Sequence, residues 1–169
     1  MNDIALVRVA CPADAAAIAV VHVTTWQRIY RGIMSDAFLD SLHPSQREPM
    51  WVRTLESGNG AVHVACVDET VVGFSFAGAS RKDASEAEIY AIYVHPDQWG
   101  TGMGRSLFAA SCDAMRSQGF SRLMLWVASE NDQARTFYAR AGMETDGATK
   151  SANIGGADVE EIRYWLDLS

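Results

Sequence analysis

From Glu88 onward the chain reads Glu88-Ile89-Tyr90-Ala91-Ile92-Tyr93-Val94-His95-Pro96-Asp97-Gln98-Trp99-Gly100-Thr101-Gly102-Met103-Gly104-Arg105. A strand-like stretch ends at Pro96, and glycines then alternate into the start of a helical pattern. Glycine lets a backbone approach an anion closely. The free N–H groups and dipole of a helix N-terminus attract negative charge to the same spot. Trp99, Gly100, Thr101, Gly102, Met103 and Gly104 therefore form a candidate pyrophosphate cradle, and Arg105 could add a full charge. A P-loop would need Gly-Lys-Ser/Thr, which is absent. A dinucleotide fingerprint would need GxGxxG early in the fold, whereas this spacing is GxGxG and lies late. A tight turn using glycine for geometry alone fits the same pattern.

A second cluster follows at Asn131-Asp132-Gln133-Ala134-Arg135-Thr136-Phe137-Tyr138, closing with Ala141-Gly142-Met143. Asn131 and Tyr138 are two helical turns apart and share a face. Asn131 offers a donor and an acceptor. Tyr138 offers a phenol to a cleft, or a ring to a core.

The two blocks together resemble the GNAT superfamily of N-acetyltransferases. The resemblance rests on Ile89 to Val94 with His95-Pro96, on Gly100-x-Gly102-x-Gly104, and on Asn131-x-x-Ala134-x-x-Phe137-Tyr138 with Ala141-Gly142-Met143. It is specific from about Glu86 to Met143 and looser elsewhere. Val23 to Gly32 is similar to a common bacterial branch. Trp99 departs from the Gln or Arg usual in the family at that position. The resemblance implies acetyl-coenzyme A as cosubstrate and an amine of a small molecule or peptide as acceptor. It also implies that the backbone of Ile92, Tyr93 and Val94 holds the pantetheine arm, with amides near Ile92 and Tyr93 on the oxyanion, and that Asn131 and Tyr138 border the cofactor.

An alkyl ammonium has a pKa of about 10.4, so a base or water relay must help it attack the thioester. Glu88 is the candidate: with no bulge, side chains 88, 90 and 92 share one face. Glu86 is the weaker alternative, and a solvated strand end also explains Glu88. Tyr138 would act as general acid or hydrogen-bond donor to the departing sulfur. Trp26, Tyr30 and Tyr90 are candidate acceptor-binding aromatics through cation–π attraction; each equally suits a core. A coenzyme-A-binding module without chemistry is the alternative function.

The elements that must position these groups follow from periodicity. Ile4–Ala10 reads as a strand, Ala13 to about Tyr30 as a helix ended by Gly32, and Ser35–Leu42 and Ser45–Glu56 as further helices. Ala61–Val67 and Val71–Gly78 read as a hairpin. Glu88–His95 and Arg122–Val127 read as strands, Met103–Gln118 and Asn131–Ala141 as helices. The tail, Glu144–Asp167, reads as two strands around Gly155-Gly156. The expected fold is α/β, a single domain over 1–169 with a central mixed, largely antiparallel twisted sheet flanked by helices.

Composition sets outer bounds. The 169 residues carry a net charge of −7 with no basic run longer than Arg81-Lys82, so nucleic acid is not an expected partner. Cys11, Cys66 and Cys112 are unpatterned, which suits a reducing cytoplasm. No signal peptide is visible in Met1–Ile4, and no apolar run would span a membrane. His22, His43, His63 and His95 lack metal-ligand spacing, so no metal is expected. Edge strands of the tail could pair in a homodimer.

Overall fold

A computed structural model describes residues 5–169. The expected first strand appears as β1 (Ala5–Val9), and Ile4 with the N-terminal residues before it lies outside the described residues. Pro12–Asp14 form one 3-10 turn. There the Asp14 carboxylate accepts two guanidinium N–H bonds from Arg8 and one from the Cys11 amide, each at 2.8 Å. The Arg8 hydrogen bond is the main reason its carboxyl is held down to about 2. Helix α1 (Ala15–Ile29) thus starts later than Ala13 and ends at Tyr30, before Gly32. Its Ile18, Val21, His22 and Thr25 are buried at helical spacing.

Helix α2 (Asp36–Ser41) is capped by Ser35, whose hydroxyl accepts from the Phe38 amide. Helix α3 (Pro44–Ser57) begins at Pro44, not at a Ser45 cap. Proline suits a first helical position, where its missing N–H has no partner to lose. The Gln46 side chain accepts from the His43 amide at 3.0 Å and closes that end.

Strands β2 (Ala61–Val67) and β3 (Thr70–Ala79) form the expected hairpin. Its turn residues Asp68 and Glu69 both have positive φ. That geometry matches the twist of the flanking strands, although it favours glycine or asparagine. Next come β4 (Ala87–Val94), α4 (Met103–Ser117), β5 (Arg122–Ala128), α5 (Asp132–Arg140), β6 (Glu144–Ile154) and β7 (Ala157–Asp167).

The seven strands form one sheet in the order β1-β2-β3-β4-β5-β7-β6. Every neighbouring pair is antiparallel except β4 and β5. The mixed, largely antiparallel α/β sheet expected from the sequence is the fold observed. Its back face packs on α4 and α5 through Ala87, Ile89, Leu123, Leu125, Phe108 and Tyr138. Its front face packs on α1 and α3 through Ile18, Trp51, Val64 and Phe74. A separate cluster of Val23, Met34, Leu39, Leu42, Ala128 and Val159 ties α1 and α2 to the β5–β7 half of the sheet.

Two irregularities shape the centre. The β4–β5 register covers only Ala87↔Leu123 and Glu88↔Met124, although both strands continue. The sheet therefore splits beyond Glu88. On the other side, β3 pairs Ala77 with Ile89 but Phe76 with Ala91, leaving Tyr90 as an extra residue, a β-bulge.

Candidate active site

The split between β4 and β5 opens into a cleft of about 340 Å³. Ile92, Tyr93 and Val94 line one wall, and the loop and helix start from Gln98 to Arg105 line the next, through Trp99, Gly100, Gly102, Met103, Gly104 and Arg105. Asn131, Gln133, Ala134, Phe137 and Tyr138 close the far side, with Thr25 and Ile29 of α1 at the front. Eleven of the twelve cofactor positions expected from the sequence thus meet around one cavity. Thr101 stands outside it, and its hydroxyl donates to the Gln98 carbonyl at 2.7 Å.

The loop geometry explains its glycines. Gly100 and Gly102 have φ of +79° and +92°, with nothing within 4 Å of where a Cβ would stand. The backbone conformation therefore calls for glycine there, and the space beside it stays open. Gly102 is also the N-cap of α4, so the free amides of the first turn face the cleft. Asn131 caps α5, accepting from the Ala134 amide at 3.1 Å.

Trp99 has a role that sequence reasoning missed. Its indole N–H donates to the Val94 carbonyl at 2.8 Å, pinning the loop to the open edge of β4. Thr25 reaches the same carbonyl at 3.5 Å. The next amide, His95, points the other way and donates to Val72 of β3 at 2.7 Å. Peptide groups alternate along a strand. Ile92 and Val94 therefore turn theirs into the cleft, while Tyr93 turns its own towards β3. Tyr93 meets the cleft with its side chain instead, which corrects the expectation for its backbone.

The Tyr90 bulge overturns the parity argument for Glu88. Ile92 packs on the back face with Met103 and Leu107, whereas Ala91 and Tyr93 pack on the front. Glu88 shares the front face with Tyr90, not with Ile92, because one extra residue reverses the alternation. Glu88 stands at the closed end of the split and does not border the cleft. Tyr90 does not border it either: its hydroxyl donates to the Ala79 carbonyl, and the Arg81 guanidinium lies 4.7 Å from its ring centroid.

Trp26 and Tyr30 lie just behind the cleft-lining Thr25 and Ile29, their rings 5.2 Å apart. The Tyr30 hydroxyl lies 3.4 Å from that of Tyr93. The Trp26 indole N–H is buried without closing a hydrogen bond, yet it lies near enough to the Tyr93 hydroxyl to favour its ionised form. Burial is nevertheless the main effect, and it raises the pKa values of Tyr30, Tyr93 and Tyr138 above the usual phenol. All three hydroxyls stay protonated at neutral pH and keep a proton to donate. His22 stacks on Tyr93 and accepts from the Trp51 indole at 3.2 Å. Burial pushes its pKa down to about 4, so it is a neutral core imidazole.

A sheet split at parallel strands, a glycine-capped helix pointing into the split and a buried tyrosine opposite are accompanied by a direct match in sequence. Residues 26–143 match the acetyltransferase (GNAT) family. The chain belongs to the GNAT family. The uncharacterized N-acetyltransferase YuaI of Bacillus subtilis (strain 168) is 32% identical over 160 residues, 92% of this chain and 90% of the relative. A probable N-acetyltransferase of Mycobacterium tuberculosis is 25% identical, covering 95% and 92% of the two chains. Among solved structures, the PaiA N-acetyltransferase of Thermoplasma acidophilum in complex with coenzyme A matches with TM-score 0.72 at 19% identity, over 97% of this chain and 99% of that one. A putative acetyltransferase of Salmonella typhimurium with acetyl-CoA matches at 0.72 and 21%, over 98% and 94%. These last two show a shared fold.

Other groups in this GNAT chain were not expected from the sequence to border the cleft. Gln133, Phe137 and Arg140 border a continuation of the cleft beyond Gly100 and Arg105. Their mutual spacing of four and three residues, one face of a helix, was the available signal. Among the described residues, no group of three His, Cys, Asp or Glu could hold a metal, and no helix is long and apolar enough to cross a membrane.

Proposed function

We propose that this GNAT protein transfers acetyl from acetyl-coenzyme A to the amine of a small molecule or peptide by direct attack. The observation that carries the reading is the open edge of β4 beside the glycine-capped start of α4, in a cleft long enough to continue past Arg105 to Arg140. The amides after Gly102 receive the pyrophosphate, with Arg105 and Arg140 as cations for the phosphates. The peptide groups of Ile92 and Val94 pair with the pantetheine arm. The Val94 carbonyl is already taken by Trp99, so the Ile92 carbonyl and the Val94 amide carry that pairing.

The amine enters from the front face, where Tyr30 and Tyr93 present donors and Glu88 is the one carboxylate on β4. Glu88 takes the ammonium proton through water, and the amine attacks the thioester carbon. The carbon–sulfur bond then breaks, and Tyr138 donates to the leaving sulfur. Trp26 supports Tyr30, while Tyr90 shapes the loop at the acceptor entrance. No covalent enzyme intermediate is formed.

Calorimetric titration with acetyl-coenzyme A tests the reading. Saturable binding is expected for the wild type. In Gly102→Glu it should be weakened at least 100-fold, because a carboxylate then stands where the pyrophosphate would lie. Coenzyme A release with a broad amine panel completes the test; binding without turnover on any amine would favour a coenzyme-A-binding module. We further propose a cytoplasmic homodimer that pairs through the edge strand β6. Light scattering showing a monomer would remove the dimer.

A further inference from the structure

Trp126 lies on the front face of β5, two residues past the Met124 that pairs with Glu88. Three cations converge on its indole. Lys150 Nζ is 4.6 Å from the ring centroid, Lys82 Nζ 5.7 Å, and the Arg163 guanidinium 5.9 Å. They come from β6, the loop before β4, and β7, so the fold gathers them from separate parts of the sequence. Glu161 pairs with Lys150 at 3.2 Å, and Asp146 pairs with Arg163. Lys82 has no ion-pair partner among the described residues. Among these five groups one positive charge is left over, in a chain whose net charge is −7; Glu86, which also acts on Arg163, is itself paired with Arg122.

Like charges around one ring repel, and a compact anion among them relieves that repulsion. The same cluster reaches the reaction centre from its other side. Glu161 is close enough to the Tyr30 and Tyr93 hydroxyls to raise their pKa values, and Tyr93 lines the cofactor cleft. At about 3.3 Å per residue along the strands, the indole stands on the order of 10 Å from the Ile92–Tyr93 segment. That is the reach of a small molecule with an amine at one end and an anion at the other. The three cations sit at the Trp126 end, and Glu161, level with Ala128, lies on the side towards Tyr93.

We propose that the acceptor is an amine that also carries a compact oxyanion, a carboxylate or a phosphonate, seated over Trp126 between Lys82, Lys150 and Arg163. The inference builds on the acetyl-transfer reading and extends it to the class of acceptor. Two measurements test it.

The first compares short ω-amino carboxylates, aminoalkyl phosphonates and amino alcohols of matched length by coenzyme A release. One anionic series should show a KM at least tenfold below the alcohols, and which series does so tells carboxylate from phosphonate. Lys82→Gln should raise that KM about tenfold and narrow the gap, and Lys82→Arg should restore it. Lys82 is exposed, so neither change disturbs the core. Equal KM values for charged and neutral acceptors would overturn the proposal.

The second measurement does not need turnover. Protein saturated with coenzyme A, which fills the other anion site, is titrated with glutarate or inorganic phosphate while tryptophan fluorescence is followed. A saturable change that is absent in Trp126→Phe and about tenfold weaker in Lys82→Gln supports the site, even if no amine is acetylated. No saturable response to either anion overturns it, whatever the acetyl-transfer assay shows.

Discussion

Replacing Tyr138 by Phe removes one hydroxyl and keeps the ring. That ring packs 5.2 Å from Phe137 and 6.3 Å from Tyr164, centroid to centroid, so the fold should persist. Among the described residues no hydrogen bond engages the hydroxyl, so its loss should change stability by less than about 1 kcal/mol. Its catalytic effect should be larger. A positioned general acid contributes about 10²–10⁴-fold. A thiolate of pKa about 8.5 leaves with little help, which argues for the lower end. The expected loss in kcat is therefore about 100-fold, or about 2.7 kcal/mol. The assay is coenzyme A release at saturating substrate, beside a calorimetric Kd for acetyl-coenzyme A, which should change less than threefold (about 0.6 kcal/mol). Burial, with a smaller contribution from the neighbouring Tyr93, raises the Tyr138 pKa well above the usual phenol. The group should therefore add no alkaline limb to the rate profile below about pH 10. An unchanged kcat, or kcat and affinity falling together, would refute its role as donor to sulfur. An alkaline limb that vanished with the hydroxyl would refute the burial argument.

Glu88→Gln should lower kcat/KM about tenfold or more at neutral pH; an unchanged kcat/KM would take Glu88 out of the mechanism. His22 should link stability to pH. Its folded pKa of about 4 lies below the unfolded value of about 6.5, so the unfolded chain binds the proton first. Stability should fall as pH drops from about 6.5 to about 4, by about 3 kcal/mol at the acid end, and urea titrations of His22→Gln should show a flatter dependence. His63, shifted in the same direction by burial, accounts for part of the remaining slope. Thiol alkylation should leave the rate unchanged: Cys11 is exposed and outside the cleft, and Cys112 is buried with its thiol pushed up to about 11. Loss of activity in proportion to Cys11 labelling would contradict direct transfer.

Much of the site was legible because it is local. Gly100 and Gly102 adopt positive φ, a backbone state that glycine reaches without strain, and Asn131 caps the helix it precedes. Each depends on a few consecutive residues, so spacing alone carries the signal. Amphipathic periodicity likewise marked α1, glycines marked the ends of α4 and α5, and apolar, β-branched runs marked the strands. Boundaries slipped where a local device outweighed the pattern. The Arg8–Asp14 pair holds a 3-10 turn ahead of α1, and Pro44 starts α3 one residue before the expected Ser45.

The sequence by itself determined the elements, their order and the glycine loop that caps α4, because backbone conformation there follows from residue type. Only the tertiary structure decided which side chains meet. The extra residue at Tyr90 reverses the faces of β4, and nothing in Ile89-Tyr90-Ala91 marks which residue will be left unpaired. The split after Glu88 exists because β4 and β5 are neighbours that stop pairing, a property of two strands and not of either. Trp99 finds the Val94 carbonyl, and Lys82, Lys150 and Arg163 find Trp126, across loops and strands whose spacing in sequence bears no relation to their spacing in the sheet. Long-range contacts depend on register and packing summed over the whole domain, so no short stretch of the chain encodes them.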